Sequence, residues 1–416
     1  MRLGERHPLS LLRLYCFSIS YFDIVAKEFD SQRLFLLNLQ KSTAPSRFLA
    51  LDSWRGICAL LVAAYHIEIH GSLFSQPLIR HAWPFVDFFF VLSGFVIIHA
   101  YGDKLNSGAQ VITFVLRRVG RLWPLHVVIL LAMIMLEVAR LYSVRVIPAV
   151  NAHIPFTGEH SVFAIATNLL LVQALGFHNS ETWNGPAWSI SVEFATYLVF
   201  ASLYFLIRNS LPRMVASLAI AIGGSIALAS LSPLGMRDTF EFPIFRCFYG
   251  FFLGVLAHRT WRQTDLAGGT LAEVIVLGAV VAFIAYAATD PVLSYLAPPL
   301  FAISVLVFAQ QKGVVSNLLM SRIPLALGRW SYSIYMVHML VLALLFAAVH
   351  AIDALYGRRW LVHGGDGTMI DLGSNLANSA LILASLGIIV GVSALTYRLV
   401  ELPGQRFFNR VADPSA

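Results

Sequence analysis

The chain has 416 residues, 58% of them hydrophobic and 12% charged, and its mean hydropathy is +0.74. Soluble domains carry about 25% charged residues, so a water-soluble globule is excluded and a protein of the lipid bilayer is implied. The net charge of +7 is expected to come from arginine and lysine in cytoplasmic loops, with no nucleic-acid partner.

Residues 1–47 are charged, and their apolar run from Pro8 to Val25 is broken by Arg13 and Asp23. A signal peptide needs a cleaner core and a small-residue cleavage site. The segment reads as a poorly ordered extension or the product of a start codon placed too far upstream, with an interfacial anchor as the alternative. Cys16, Cys58 and Cys247 form no disulfide framework and no metal-ligand spacing.

Ten apolar stretches of spanning length follow, at 48–69, 82–101, 122–142, 188–207, 214–231, 240–258, 271–288, 292–310, 326–349 and 376–400. An eleventh, 161–175, is short and polar at Asn168 and Gln173. If 161–175 dips in and returns, the cytoplasmic loops hold Lys104, Arg117, Arg118, Arg121, Arg208, Arg213, Arg259, Arg262, Lys312, Arg322 and Arg329. The outer loops then hold fewer cations, as the positive-inside bias requires. If it crosses, the bias inverts. The expectation is an all-α, polytopic membrane helix bundle of about ten transmembrane helices plus one re-entrant segment, with both termini cytoplasmic. The membrane domain covers 48–405, and 406–416 form a short cytoplasmic tail.

A charge at mid-bilayer costs at least about 2.5 kcal/mol, so each ionisable residue in a span is a functional candidate. In the first span Arg55 and His66 are eleven residues apart, three turns plus about 20°, on one face and roughly 16 Å apart along the axis. They cannot touch but can stand at two depths of one cavity; histidine suits general base work near pH 7, with a packing or hydrogen-bonding histidine as the alternative. Asp87 and Gly94 share a face of the second span, where Ser93-Gly94 also permits close helix approach. Arg117, Arg118 and Arg121 cluster before the third span, with Pro124 just beyond. The cluster is either positive-inside anchoring or a phosphate site, since guanidinium groups bind phosphate oxygens bidentately. Trp188 takes the aromatic-belt position of the fourth span, and Glu193 lies deeper with no cation near in sequence. A buried carboxylate needs a partner from another helix, and His66 lies at a similar depth. Ser331, Tyr335 and His338 fall at i, i+4 and i+7, flanked by Tyr332; the face serves a pocket or interhelical hydrogen bonding.

Together these residues resemble the membrane acyltransferase-3 family over about 49–405. The pieces run in the family's order: Arg55 and His66, the stretch from Asp87 to Phe95, Arg117/Arg118 with Arg121 and Pro124, Trp188 to Glu193, Gly328 to His338, and Val400 to Pro403. Ser53-Trp54 stands where the family commonly has Gly-Leu. The resemblance implies an O-acyltransferase of the bacterial inner membrane. It implies an acyl-CoA donor, commonly acetyl-CoA, entering from the cytoplasm, and a glycan, glycolipid or related hydroxyl acceptor. No permanently bound cofactor is expected. The esterase-like domain some members carry is expected to be absent or supplied by a separate periplasmic partner. The implied roles are His66 and Glu193 in catalysis, with His66 as base or acyl carrier and Glu193 orienting it. Arg55, Arg117, Arg118 and Arg121 would bind the donor, and Asp87, Trp188, Ser331, Tyr332, Tyr335 and His338 would line the pocket. The rival from another class is a transporter or flippase for a lipid-linked or acidic solute.

Overall fold

A computed structural model describes residues 47–73, 75–146, 154–263, 269–364 and 367–413, with side chains of 143–146 excepted. The N-terminal segment 1–46, including Cys16, lies outside them. The chain divides after Phe48, and the described helices all belong to the unit Leu49–Ala416.

Helices lie on each of the ten apolar stretches: α1 Leu49–Tyr65, α3 Phe85–Tyr101, α4 Gly108–Val146, α6 Trp188–Leu206, α7 Ser210–Leu231, α8 Pro243–Gln263, α9 Thr270–Ala282, α10 Ala297–Phe308, α12 Arg322–Tyr356 and α13 Asn375–Thr396. Short helices connect them: α2 Pro77–Arg80, α5 Val162–Leu169 and α11 Val314–Leu319; α14 Leu402–Ala412 closes the chain. In hydrocarbon each backbone amide must be satisfied within its own segment, which is why apolar runs become helices. Among the described residues six helices are long and apolar enough to cross a membrane, and two apolar ones are shorter. Large apolar side chains cover the outside, with Leu206 74% and Leu376 83% exposed. So broad an apolar surface belongs against lipid.

Several elements outrun their sequence expectation. α4 is one helix of 39 residues, about 58 Å long, so the arginine cluster rides on the same rod as the span behind it. α12 has 35 residues and stops at Gly357, whose φ of 65° ends the helix in the left-handed form. α5 has only eight residues and is capped by Ser161. Past α12 the chain is not purely helical: β1 Leu361–Gly364 pairs antiparallel with β2 Gly367–Ile370, and Ile370 bridges to Ile69. This hairpin packs Ile370 into a buried cluster with Ile67, Ile69, Leu342, Val349 and Ile382 at one end of α1.

The crossings that position the site are made by glycines. A Cβ on Gly94 would lie 1.9 Å from the Phe251 carbonyl oxygen, and one on Gly254 1.9 Å from that of Val91. The backbones of α3 and α8 therefore touch, as small residues four apart allow (here Gly250 and Gly254). α1 and α12 meet the same way, with Gly56 against Leu327 and Gly328 against Asp52. Ser93-Gly94 thus serves helix approach.

Candidate active site

Three of the cavities between these helices hold the residues singled out above. The first, about 270 Å³, is lined by His66 with Tyr65, Trp83, Glu181, Trp188, Arg237, Thr239, Arg246 and Tyr335. The second, about 140 Å³, is lined by Arg55, Arg118, Arg121, Glu193, Tyr197, Ser331, Tyr332 and Tyr335. Val86 and Tyr335 line both. The third, about 400 Å³, is lined by Tyr101, Arg117, Arg118, Arg121 and three residues of α14. Arg118 and Arg121 are common to the second and third.

His66 sits one residue past α1, where its Nδ1 lies 2.8 Å from the Val62 carbonyl oxygen. A carbonyl only accepts, so Nδ1 carries the hydrogen and the neutral ring keeps its lone pair on Nε2, the nitrogen left for the cavity. The pairing of His66 with Glu193 expected from depth is not what the structure shows. Glu193 lines the arginine cavity instead and accepts a hydrogen bond from the Tyr197 hydroxyl at 2.5 Å. α6 places its carboxylate in the cavity that Arg118 also lines, and a backbone carbonyl, that of Val62, orients the imidazole. The carboxylate that shares the His66 cavity is Glu181, on the loop between α5 and α6. Burial pushes its carboxyl up from the usual range, against a hydrogen bond with Thr239.

The arginines are not equivalent. Arg55 donates to the Ser331 hydroxyl at 2.8 Å and pairs with Asp52 at 3.5 Å. Arg121 is held by Glu401, which also accepts from Ser333, and lies over the Tyr332 ring. A π-helical turn, Tyr397–Glu401, delivers that carboxylate inward just before α14. Arg118 is braced on the rings of Tyr101, Phe114 and Tyr197, 5.5 to 5.9 Å away. Arg117 meets Asp413 at 3.8 Å. The Nε atoms of Arg117 and Arg118 are buried with no hydrogen-bond partner. Such a cluster fits a multiply charged anion.

Two residues expected in a pocket line none of these cavities. Asp87 is fully buried and accepts two hydrogen bonds from Arg246, each 2.8 Å. Arg246 is wedged between the Trp83 and Trp188 rings, 5.1 and 5.2 Å away, so Asp87 neutralises and aims a cation that does face the His66 cavity. His338 is fully buried; its ring centroid is 5.0 Å from that of His66 and its Nε2 has no hydrogen-bond partner. Trp188, Ser331 and Tyr332 do line cavities, and the Tyr332 hydroxyl donates to the Leu122 carbonyl. Tyr335 forms part of the partition, its hydroxyl bonded to Ser189 and to the Pro186 carbonyl. Arg246 and Glu401 are readable in sequence as charges within or at the edge of apolar stretches. Glu181 lies on a loop and carries no such signal.

Residues 48–398 match the acyltransferase domain family. The chain is 27% identical to acyltransferase MdmB of Streptomyces mycarofaciens over 410 residues, covering 88% of this chain and 94% of that one. It is 34% identical to protein 2 in the picA locus of Rhizobium radiobacter over 161 residues, 38% of this chain and 82% of that one. No solved structure matches it.

Proposed function

Since the chain belongs to the acyltransferase domain family, and is a multi-pass membrane acyltransferase, we propose that it moves an acyl group from cytoplasmic acyl-CoA to an acceptor hydroxyl. The donor is acetyl-CoA in this reading, and the acceptor is a glycan, glycolipid or related hydroxyl compound. The observation that carries it is the meeting of two unlike cavities at Tyr335, one holding His66 and the other the arginines. The donor phosphates rest on Arg117 and Arg118, and Arg55 and Arg121, each held by a carboxylate, shape the passage for the thioester arm. His66 Nε2 takes the proton of the acceptor hydroxyl as its oxygen attacks the thioester carbonyl. The carbon–sulfur bond then breaks, the ester forms, and the imidazolium returns the proton to the leaving thiolate. In the variant of this chemistry the imidazole itself carries the acyl group.

The bundle crosses the bacterial inner membrane ten times with both termini inside, and 161–175 enters and returns. The brevity of α5 supports this, since eight residues span only about 12 Å of a roughly 30 Å core. The third cavity and the arginine cluster then face the cytoplasm, and His66 the outer half.

The test is acyl-CoA turnover by the purified protein, read as thiol release with a sugar acceptor present. The wild type should bind acetyl-CoA and release thiol. The Arg117→Ala, Arg118→Ala double variant should bind it more weakly while remaining inserted and folded. A protein that binds no acyl-CoA and releases no thiol, but exchanges an anionic solute across vesicles, would be a transporter.

A further inference from the structure

We infer that the last helix, α14, forms the second wall of the donor's nucleotide site, and that Arg410 binds a phosphate at the nucleotide end of CoA. This rests on the acyl-CoA reading above. By sequence the residues after 405 read as a tail, but the structure packs them as an element. α14 lies along the first half of α4. A Cβ on Gly120 would meet the Phe408 side chain at 2.5 Å, and one on Gly404 would meet Pro124 at 2.6 Å. With both glycines in close contact, α14 has a fixed place against α4, so the side chains flanking the contact stand at a set distance from that helix.

Between the two helices lies the cavity of about 400 Å³, with Arg117, Arg118 and Arg121 on one wall and Gln405, Asn409 and Arg410 on the other. No carboxylate lines it among the described residues. Of its cations, Arg121 is held by Glu401 and Arg117 approaches Asp413. Arg118 and Arg410 make no ion pair among the described residues. The buried, unpartnered Nε atoms of Arg117 and Arg118 are a second sign that a polar ligand belongs there. The shape of the ligand follows from the walls. Arg118 and Arg121 also line the narrower arginine cavity, which runs on to Tyr335. A molecule filling both has a bulky polyanionic head against four arginines and a slender arm reaching toward Tyr335. A nucleotide with a pyrophosphate and a sugar phosphate, joined to a thioester arm, has that form. Gln405 and Asn409 add neutral donors and acceptors beside Arg410, suited to a ribose and its phosphate.

The experiment compares binding of CoA and of phosphopantetheine, which has the arm without the nucleotide, to the full chain in detergent. A charge-assisted hydrogen bond contributes roughly 1.5–3 kcal/mol, so Arg410→Gln should weaken CoA at least about tenfold. It should leave phosphopantetheine binding and the thermal midpoint unchanged. Arg406→Gln, on the same helix but outside the cavity lining, should change neither ligand. Unchanged CoA affinity in Arg410→Gln, or equal loss of both ligands, overturns this assignment and leaves the donor reading standing. A wild type that binds neither ligand overturns the donor reading itself.

Discussion

His66 and His338 have neighbouring rings but different surroundings, and that difference decides which one can exchange a proton with a substrate. His66 has Nδ1 committed to the Val62 carbonyl and a cavity in front of the ring. His338 is sealed, with Nε2 facing neither a partner nor any of the three cavities. A hydroxyl is a weak nucleophile near pH 7 and needs a base within hydrogen-bond reach, a contribution of about a hundredfold to ten-thousandfold. His66→Ala should therefore lower acyl transfer at least about a hundredfold in steady-state assays, with donor binding near normal because no phosphate contact is removed. His338→Ala should cost less. The reverse order of effects would place the base on α12.

At the scale of the element, the glycine crossings set the positions of these side chains. α3 carries Asp87 and Ser93, and α8 carries Arg246; their backbones touch at Gly94 and Gly254, which lets the Asp87–Arg246 pair close across the interface. A methyl group at Gly94 meets a carbonyl oxygen that belongs to a helix and cannot step aside. Gly94→Ala should destabilise the protein by about 1–3 kcal/mol, the usual cost of overpacking, read as a lower thermal midpoint in detergent. Gly391→Ala, where nothing lies within 4 Å, should leave the midpoint unchanged or raise it, because alanine favours the helix by up to about 1 kcal/mol. Equal midpoints for both variants would mean that the α3–α8 crossing is not a tight one.

For the whole molecule the arrangement that matters is polarity across the membrane. The arginine cluster, α14 and the third cavity gather at one end, and the hairpin β1–β2 lies at the His66 end of α1. Reporter fusions after residues 212, 262 and 410 should all read cytoplasmic, and a fusion near residue 365 external. An external reading at 262 would make 161–175 a true crossing and would overturn the topology proposed above.

By itself the sequence determined the membrane class, the ten apolar stretches on which helices lie, and the short stretch 161–175. It did so because the bilayer imposes a length and a polarity that composition records directly. The same physics exposed Arg55, His66 and Glu193, since an ionisable group among apolar residues is costly wherever it stands. Helix ends were less legible: α4 begins well before its apolar core, because charged turns beyond the lipid can stay helical. Only the tertiary structure decided the pairings. Spacing could not tell that Glu401 holds Arg121, that Arg246 takes Asp87, or that Glu193 faces an arginine cavity while Glu181 shares the cavity of His66. Each of these joins residues far apart in the chain, and a helix seen alone shows which face a residue lies on but not what stands opposite.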